Sequence, residues 1–86
     1  MKIIKLGNDC YKNIRYYDKE EKKIESECYY NSKDERHRLD GPTVIWHHKN
    51  GGIISEYYYL NGNEYEKEEF NKLININRNL KLLNKK

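Results

Sequence analysis

Histidine and cysteine are the residues here whose chemistry could hold a metal or attack a substrate. The adjacent pair His47-His48 is the first candidate for a metal site. Neighbouring residues on a strand point to opposite faces, so the two rings cannot ligate one ion. The third histidine, His37, lies ten residues upstream. Structural metal sites need three or four convergent ligands, and we therefore predict none.

The two cysteines could form a disulfide or supply a nucleophile. If the first hairpin turns near Glu20-Glu21, Cys28 lies opposite a residue near Asn13, and a bridge to Cys10 would need a shifted register. Neither cysteine has a histidine or basic residue beside it to activate the thiol. We predict free thiols, no catalytic residue, no cofactor and no enzymatic activity.

Nine tyrosines form the third group. A row of exposed tyrosines on a sheet can stack nucleic-acid bases or anchor a protein interface. Alternatively, such rows fill the core of a thin β domain. We favour a core role for Tyr57 and Tyr59, and leave Tyr58 and Tyr29 open between core and binding.

The composition predicts one small folded domain. The chain has 86 residues, 36% of them charged, with a net charge of +3 and a mean hydropathy of −1.21. Low hydropathy can mean disorder, but eleven aromatic residues supply large buried areas and the net charge is small. A domain of this size is only marginally stable alone.

The chain contains no apolar run of about 18 residues, and its first ten residues lack the apolar core of a signal peptide. We therefore expect no membrane partner and a cytoplasmic location, the host cytoplasm if the protein is viral. Two cysteines fit a reducing compartment.

The clearest local signal is Asn50-Gly51, between the β-prone segments 43–49 and 52–60. A type I′ turn there predicts a hairpin. Counting outward from a two-residue turn predicts three cross-strand pairs, His48 with Ile53, Trp46 with Ser55, and Val44 with Tyr57.

Directly opposed residues share a face of the sheet. We expect the core on the face with Val44, Trp46, Ile53, Tyr57 and Tyr59. We expect a partner to bind the opposite face and the adjacent loop, through Ile45, His47, Ile54, Glu56, Tyr58, Tyr29, Arg36 and Arg38.

An internal repeat extends this pattern upstream. The motif I-x-S-E-x-Y-Y occurs at Ile24–Tyr30 and at Ile53–Tyr59, 29 residues apart. The first copy is degenerate, since its turn at 18–22 has no glycine. Periods of this size indicate stacked hairpins. A further strand is predicted at 2–6, and turns at 40–42 and 61–62.

The C-terminal part has helical spacing of apolar residues. Acidic residues at 66–69 and lysines near the end suit the helix dipole. We predict a helix that caps the sheet. The fold class is α+β, an antiparallel sheet of successive hairpins with a C-terminal helix. The single domain 1–86 divides into a degenerate repeat with an N-terminal strand (1–36), a clear repeat (37–63) and the helix (64–86).

The segment from His37 to Gly62 resembles a known repeat. HRLDGPTVIW, then Asn50-Gly51, then EYYYLNG resemble the HR-x-DGPA-x-x-W, NG and E-x-Y-x-x-NG pieces of MORN-like repeat proteins of giant viruses, phages and prophages. Thr43 stands where those repeats usually have alanine. The resemblance implies an antiparallel sheet of hairpins, no catalytic residues and a viral or prophage origin.

These observations favour a small non-enzymatic protein-binding module that acts as an inhibitor or adaptor on a host protein, possibly a defence protein. The alternative is a nucleic-acid-binding protein that uses the sheet tyrosines and the basic residues of the C-terminal helix (Lys72, Arg78, Lys81, Lys85 and Lys86). A homodimer through an edge strand or the aromatic face is a further alternative.

Overall fold

The computed structural model describes the backbone of residues 1–83 and the side chains of residues 1–76. It contains a six-stranded antiparallel sheet, in which each strand pairs with the next along the chain, and one helix. The elements are β1 (Lys2–Gly7), β2 (Cys10–Tyr16), β3 (Ile24–Tyr30), β4 (Val44–His47), β5 (Ile53–Leu60), β6 (Asn63–Tyr65) and α1 (Lys67–Leu83). This confirms the predicted α+β fold of successive hairpins. No helix in the described part of the chain is long and apolar enough to cross a membrane.

Two tight turns join strands at opposite ends of the sheet. Asn8 and Asp9 connect β1 to β2 with φ of 53° and 62°, and Asn61-Gly62 connects β5 to β6 with φ of 49° and 86°. Positive φ at both central residues defines a type I′ turn, which Asn, Asp and Gly tolerate best. The turn predicted at 61–62 is confirmed.

The Asn50-Gly51 turn differs from the prediction. Gly51 has φ 96°, but Asn50 is not in the positive-φ region, which excludes type I′. The N–H of Gly51 donates to the carbonyl of His48 (3.0 Å), and the N–H of His48 donates to the carbonyl of Gly52 (2.7 Å). This is a three-residue loop with a glycine bulge.

The changed loop shifts the pairing beside it. His47 pairs with Ile53, so the predicted pair of His48 with Ile53 is wrong. Skipping Ile54 as a bulge restores the register, and the predicted pairs Trp46 with Ser55 and Val44 with Tyr57 are confirmed.

Both copies of the repeated motif form strands, β3 and β5. The glycine-free turn before β3 is closed by Asp18, whose carboxylate accepts the N–H groups of Lys22 and Lys23 at 3.1 and 2.9 Å. The hydrogen bond from Lys23 is the main cause of a lowered pKa of Asp18. Cys28 pairs with Asn13, as predicted.

The helix packs on one face of the sheet, against β5. Phe70 and Ile74 are buried against Tyr58, and the rings of Tyr58 and Phe70 lie 4.9 Å apart. Leu60 and Tyr65 pack against the same cluster. The helix begins at Lys67 rather than at 64, because residues 63–65 form the unpredicted strand β6. The side chains of Arg78 and Lys81, and all of Lys85 and Lys86, lie outside the described residues.

The predicted core face is only partly correct. Val44 is buried as predicted (7% exposed), but Trp46 and Tyr57 are 37% and 41% exposed, whereas Ile45 and Tyr58 on the opposite face are each only 9% exposed. Ile53 is 55% exposed and, because it pairs with His47, does not lie on the face with Trp46. Both faces of the hairpin carry large apolar side chains, so the alternation alone does not select between them. The helix does, by packing on the Tyr58 side.

Thr43 lies immediately before β4 and is fully buried. Its hydroxyl donates to the carbonyl of Tyr59 (3.1 Å) and accepts the N–H of the same residue (2.9 Å). The side chain therefore completes the pairing of β4 with β5 where the chain enters the sheet.

Replacing Thr43 by valine keeps the shape but removes the hydroxyl. Both backbone groups of Tyr59 would then lose a buried partner, and we expect a loss of about 1–3 kcal/mol in the free energy of unfolding. Urea denaturation followed by circular dichroism measures it. Thr43→Ser is the control, because it keeps the hydroxyl. Equal stability of the wild type and the valine variant would contradict this role.

The loop geometry predicts different effects of substituting the two adjacent glycines, Gly51 and Gly52. Gly51→Ala would force an alanine into the left-handed region, and we expect a cost of about 1–2 kcal/mol. Gly52 does not have a positive φ, and an added Cβ would meet only ordinary contacts. Thermal unfolding should therefore show a clearly lower Tm for Gly51→Ala than for Gly52→Ala. Equal losses would argue against the glycine bulge.

Candidate binding surface

The side of the sheet away from the helix forms one continuous surface, which we call the open face. The strand register places on it Tyr11, Asn13, Arg15, Ser26, Cys28, Tyr30, Val44, Trp46, Ser55, Tyr57 and Tyr59. Four adjacent strands, β2 to β5, therefore contribute to it. The surface is rich in Tyr, Trp and Arg, the residues that dominate protein-binding hot spots.

The register arranges these side chains in rows that cross the strands. One row runs from Arg15 through Ser26 to Trp46, and the next from Asn13 through Cys28 and Val44 to Tyr57. A third row begins with Tyr11 and Tyr30 and includes Arg36 and Tyr59. The first two rows include the short side chains of Asn13, Ser26 and Cys28 on β2 and β3, beside the larger Arg15 and Trp46.

Several aromatic rings of the open face already have partners. Tyr11 and Tyr30 stack on each other, with ring centres 5.0 Å apart and planes 17° apart. The guanidinium of Arg36 lies 5.3 Å from the ring centre of Tyr59 and donates to its hydroxyl (3.3 Å). Trp46 and Tyr57 are the most exposed aromatic side chains of this surface.

The loop between β3 and β4 holds Arg36 in place. The N–H of Gly62 donates to the carbonyl of Arg36 (2.9 Å), and Nδ1 of His37 accepts the N–H of Asn61 (3.0 Å). The loop is thereby fastened to the turn between β5 and β6. The hydrogen bond from the Arg36 guanidinium to the Tyr59 hydroxyl is the main cause of a raised pKa of Arg36.

A groove of about 340 Å³ crosses the centre of the open face. Its lining includes Asn13, Arg15, Cys28, Arg36 and Trp46, and no Asp or Glu. Oδ1 of Asn13 is a buried side-chain atom without a hydrogen-bond partner. Such atoms are uncommon in folded proteins and often mark a place where a ligand or water binds.

The residues predicted to bind a partner are divided between the two faces. Ile45 and Tyr58 are buried on the helix side, which is a correction, because we expected that face to be exposed. Ile54 and Glu56 are exposed near the β4–β5 turn and on β5. Arg36 alone of the predicted set lies on the open face.

The remaining three predicted residues take part in half-buried polar packing on the helix side. Nε2 of His47 lies 2.9 Å from the carboxylate of Glu27, which also pairs with Lys12 at 3.4 Å. The guanidinium of Arg38 lies 4.0 Å from the ring centre of Tyr29. These contacts join neighbouring strands and leave little of His47, Tyr29 or Arg38 for a partner.

The cysteines and histidines were the candidate thiol nucleophiles and metal ligands of the sequence. Cys10 and Cys28 are free thiols. Among the described residues, no three His, Cys, Asp or Glu side chains are placed to hold a metal ion.

Sequence reasoning did not name Arg15 and Asn13, and it expected Trp46 and Tyr57 in the core rather than exposed on the open face. The pairing predicted from the sequence did place Trp46 and Tyr57 on one face of the hairpin. The sequence pattern did not show on which face the helix packs.

Comparison with known protein families, with curated proteins and with solved structures found no match to this chain. The resemblance to MORN-like repeats stays a prediction that rests on the motif residues.

The hydroxyl of Tyr11, at the margin of the open face, is a weaker acid than that of an ordinary tyrosine. Its hydroxyl donates to the carboxylate of Asp34 (2.8 Å), and this hydrogen bond is the main cause that raises the pKa of Tyr11 to about 12. A tyrosine pKa raised by folding stabilises the fold below the unfolded value near 10. That contribution is lost as the pH rises from about 10 through 12.

We expect Tyr11 to ionise later than an ordinary tyrosine in a pH titration followed by NMR of the Cζ carbons. Asp34→Asn should move the pKa of Tyr11 back towards 10, because the carboxylate no longer accepts the hydrogen bond or repels the tyrosinate. Asp40→Asn is the control. An unchanged titration of Tyr11 in Asp34→Asn would show that the hydrogen bond is not the cause.

Proposed function

We propose that this protein is a small non-enzymatic protein-binding module whose binding surface is the open face. The observation that carries the proposal is the placement of Trp46, Tyr57, Tyr59 and Arg36 on the side of the sheet that the helix leaves uncovered. Exposed apolar surface costs free energy in water, and contiguous patches of it mark interaction sites.

The rigidity of this surface supports the same function. Its side chains stand on paired strands, and Tyr11, Tyr30 and Tyr59 are held by stacking or cation–π contacts. A preorganised aromatic surface loses little conformational entropy on binding. A sheet surface with aromatic anchors and two arginines therefore suits a protein partner.

An inhibitor or adaptor role on a host protein, possibly a defence protein, is part of this proposal and rests on the MORN-like motif residues. Cytoplasmic location and viral or prophage origin belong to the same proposal.

Nucleic-acid binding is a second candidate, because Arg15 and Arg36 accompany aromatic rings on the same face. Fluorescence anisotropy with single- and double-stranded oligonucleotides at several salt concentrations tests it. Binding with a steep salt dependence would favour this candidate.

The protein-binding function predicts that truncating the most exposed aromatic side chains abolishes capture of the partner. We expect a Trp46→Ala/Tyr57→Ala double variant to lose at least about tenfold in affinity, since hot-spot truncations cost 2 kcal/mol or more. The measurement is quantitative affinity capture from a lysate of the host cell. Circular dichroism checks that the variant folds.

Ile76→Ala is the matched control, because Ile76 is an exposed apolar residue of the helix, away from the open face. If the double variant captures the same proteins in the same amounts as the wild type, the open face is not the binding surface.

A further inference from the structure

We propose that the groove across the open face binds an acidic peptide segment of the partner, whose carboxylates pair with Arg15 and Arg36. The inference rests on the proposed function and adds to it the chemistry of the partner.

The shape of the groove suits an extended peptide. Its lining contains the short side chains of Asn13, Ser26 and Cys28, together with Arg15 and Arg36, which belong to different rows. It crosses β2, β3 and β4. With strands about 4.8 Å apart this is a span of roughly 10 Å, which matches about three extended residues.

The charged residues that line the groove, Arg15 and Arg36, favour an anionic partner. No Asp or Glu lines it. Among the described residues, the cations in salt bridges are Lys2, Lys12, Arg38 and His47, so neither Arg15 nor Arg36 pairs with a carboxylate. A guanidinium without a carboxylate partner offers a planar pair of donors that matches one. Arg36 uses one donor on the hydroxyl of Tyr59 and has others left. Arg15 and Arg36 can therefore pair with carboxylates of another molecule.

The lining residue Asn13 favours a peptide over a phosphate chain in the groove. The side-chain amide of Asn13 has a buried oxygen without a partner. A peptide backbone carries both N–H donors and carbonyl acceptors, so it satisfies the amide in either orientation. A phosphodiester group only accepts hydrogen bonds. With Oδ1 as the unpartnered atom, nucleic acid would have to offer a base amino group instead of a phosphate.

The aromatic residues of the open face also favour a peptide over nucleic acid. Single-stranded nucleic acid binds sheets by stacking successive bases on free rings. Tyr11 and Tyr30 already stack on each other, and Arg36 already lies over Tyr59. That leaves Trp46 and Tyr57 for contact, which suits apolar side chains that flank the carboxylates of a peptide.

A second copy of the chain fits the groove poorly. A face-to-face dimer would bring Arg15 and Arg36 towards the same surface on its partner, which has no carboxylate in the groove. Like charges placed across an interface without counterions oppose association.

The test uses the intact protein and three probes: a ten-residue peptide of alternating Glu and Val, the same peptide with Gln in place of Glu, and a ten-nucleotide oligo-dT. Trp46 is the sole tryptophan and lines the groove, so its fluorescence reports occupancy. We expect the Glu peptide to bind at least about tenfold more tightly than the Gln peptide, and less so at high salt.

Arg15→Gln and Arg36→Gln should each weaken binding of the Glu peptide by about threefold to tenfold. Lys72→Gln is the matched control, because it removes the same charge from the exposed helix and should leave binding unchanged. Equal affinity for the Glu and Gln peptides, or arginine variants that bind like Lys72→Gln, would overturn the proposal. Tighter binding of oligo-dT, or dimerisation through this face in sedimentation, would also overturn it.

The two proposals fail in different ways. If Arg15→Gln and Arg36→Gln keep the captured partner while Trp46→Ala/Tyr57→Ala loses it, the acidic segment is wrong and the protein-binding function stands. If the aromatic double variant also keeps the partner, the binding function of the open face is itself wrong.

Discussion

The packing of Phe70 and Ile74 on Tyr58 is the contact on which the rest of the structure depends. A single sheet has two faces, and the described residues 1–83 contain one helix with which to cover them. Once the helix packs on the Tyr58 side, Trp46 and Tyr57 on the opposite face stay exposed. The division into a helix side and an open face follows from this one contact.

The sheet itself depends on polar contacts at its joints more than on a large core. Thr43 bridges the backbone of Tyr59, Asp18 closes a turn without glycine, and the His37 ring fastens the β3–β4 loop to the β5–β6 turn. In a domain this small, few side chains can be fully buried. Directed hydrogen bonds therefore fix the positions of the segments that a larger core would hold by packing.

These joints also place the groove. The register sets Asn13 beside Cys28 and Arg15 beside Ser26, and the fastened loop brings Arg36 to the same groove. Arg15 and Arg36 are far apart in the sequence, on β2 and in the β3–β4 loop. Their joint presence around one groove is a property of the strand pairing and of the fastened loop, and it is the basis on which we propose an anionic partner.

The sequence by itself determined the strands, their antiparallel order and most of the register. Alternation, turn residues and the I-x-S-E-x-Y-Y repeat are local signals, and they predicted the pairs of Trp46 with Ser55 and of Asn13 with Cys28. It did not determine the geometry of the Asn50-Gly51 loop, strand β6 or the covered face. Only the tertiary structure decided that face, because Trp46 and Tyr58 are similarly apolar, and the choice between them depends on the side on which the helix packs.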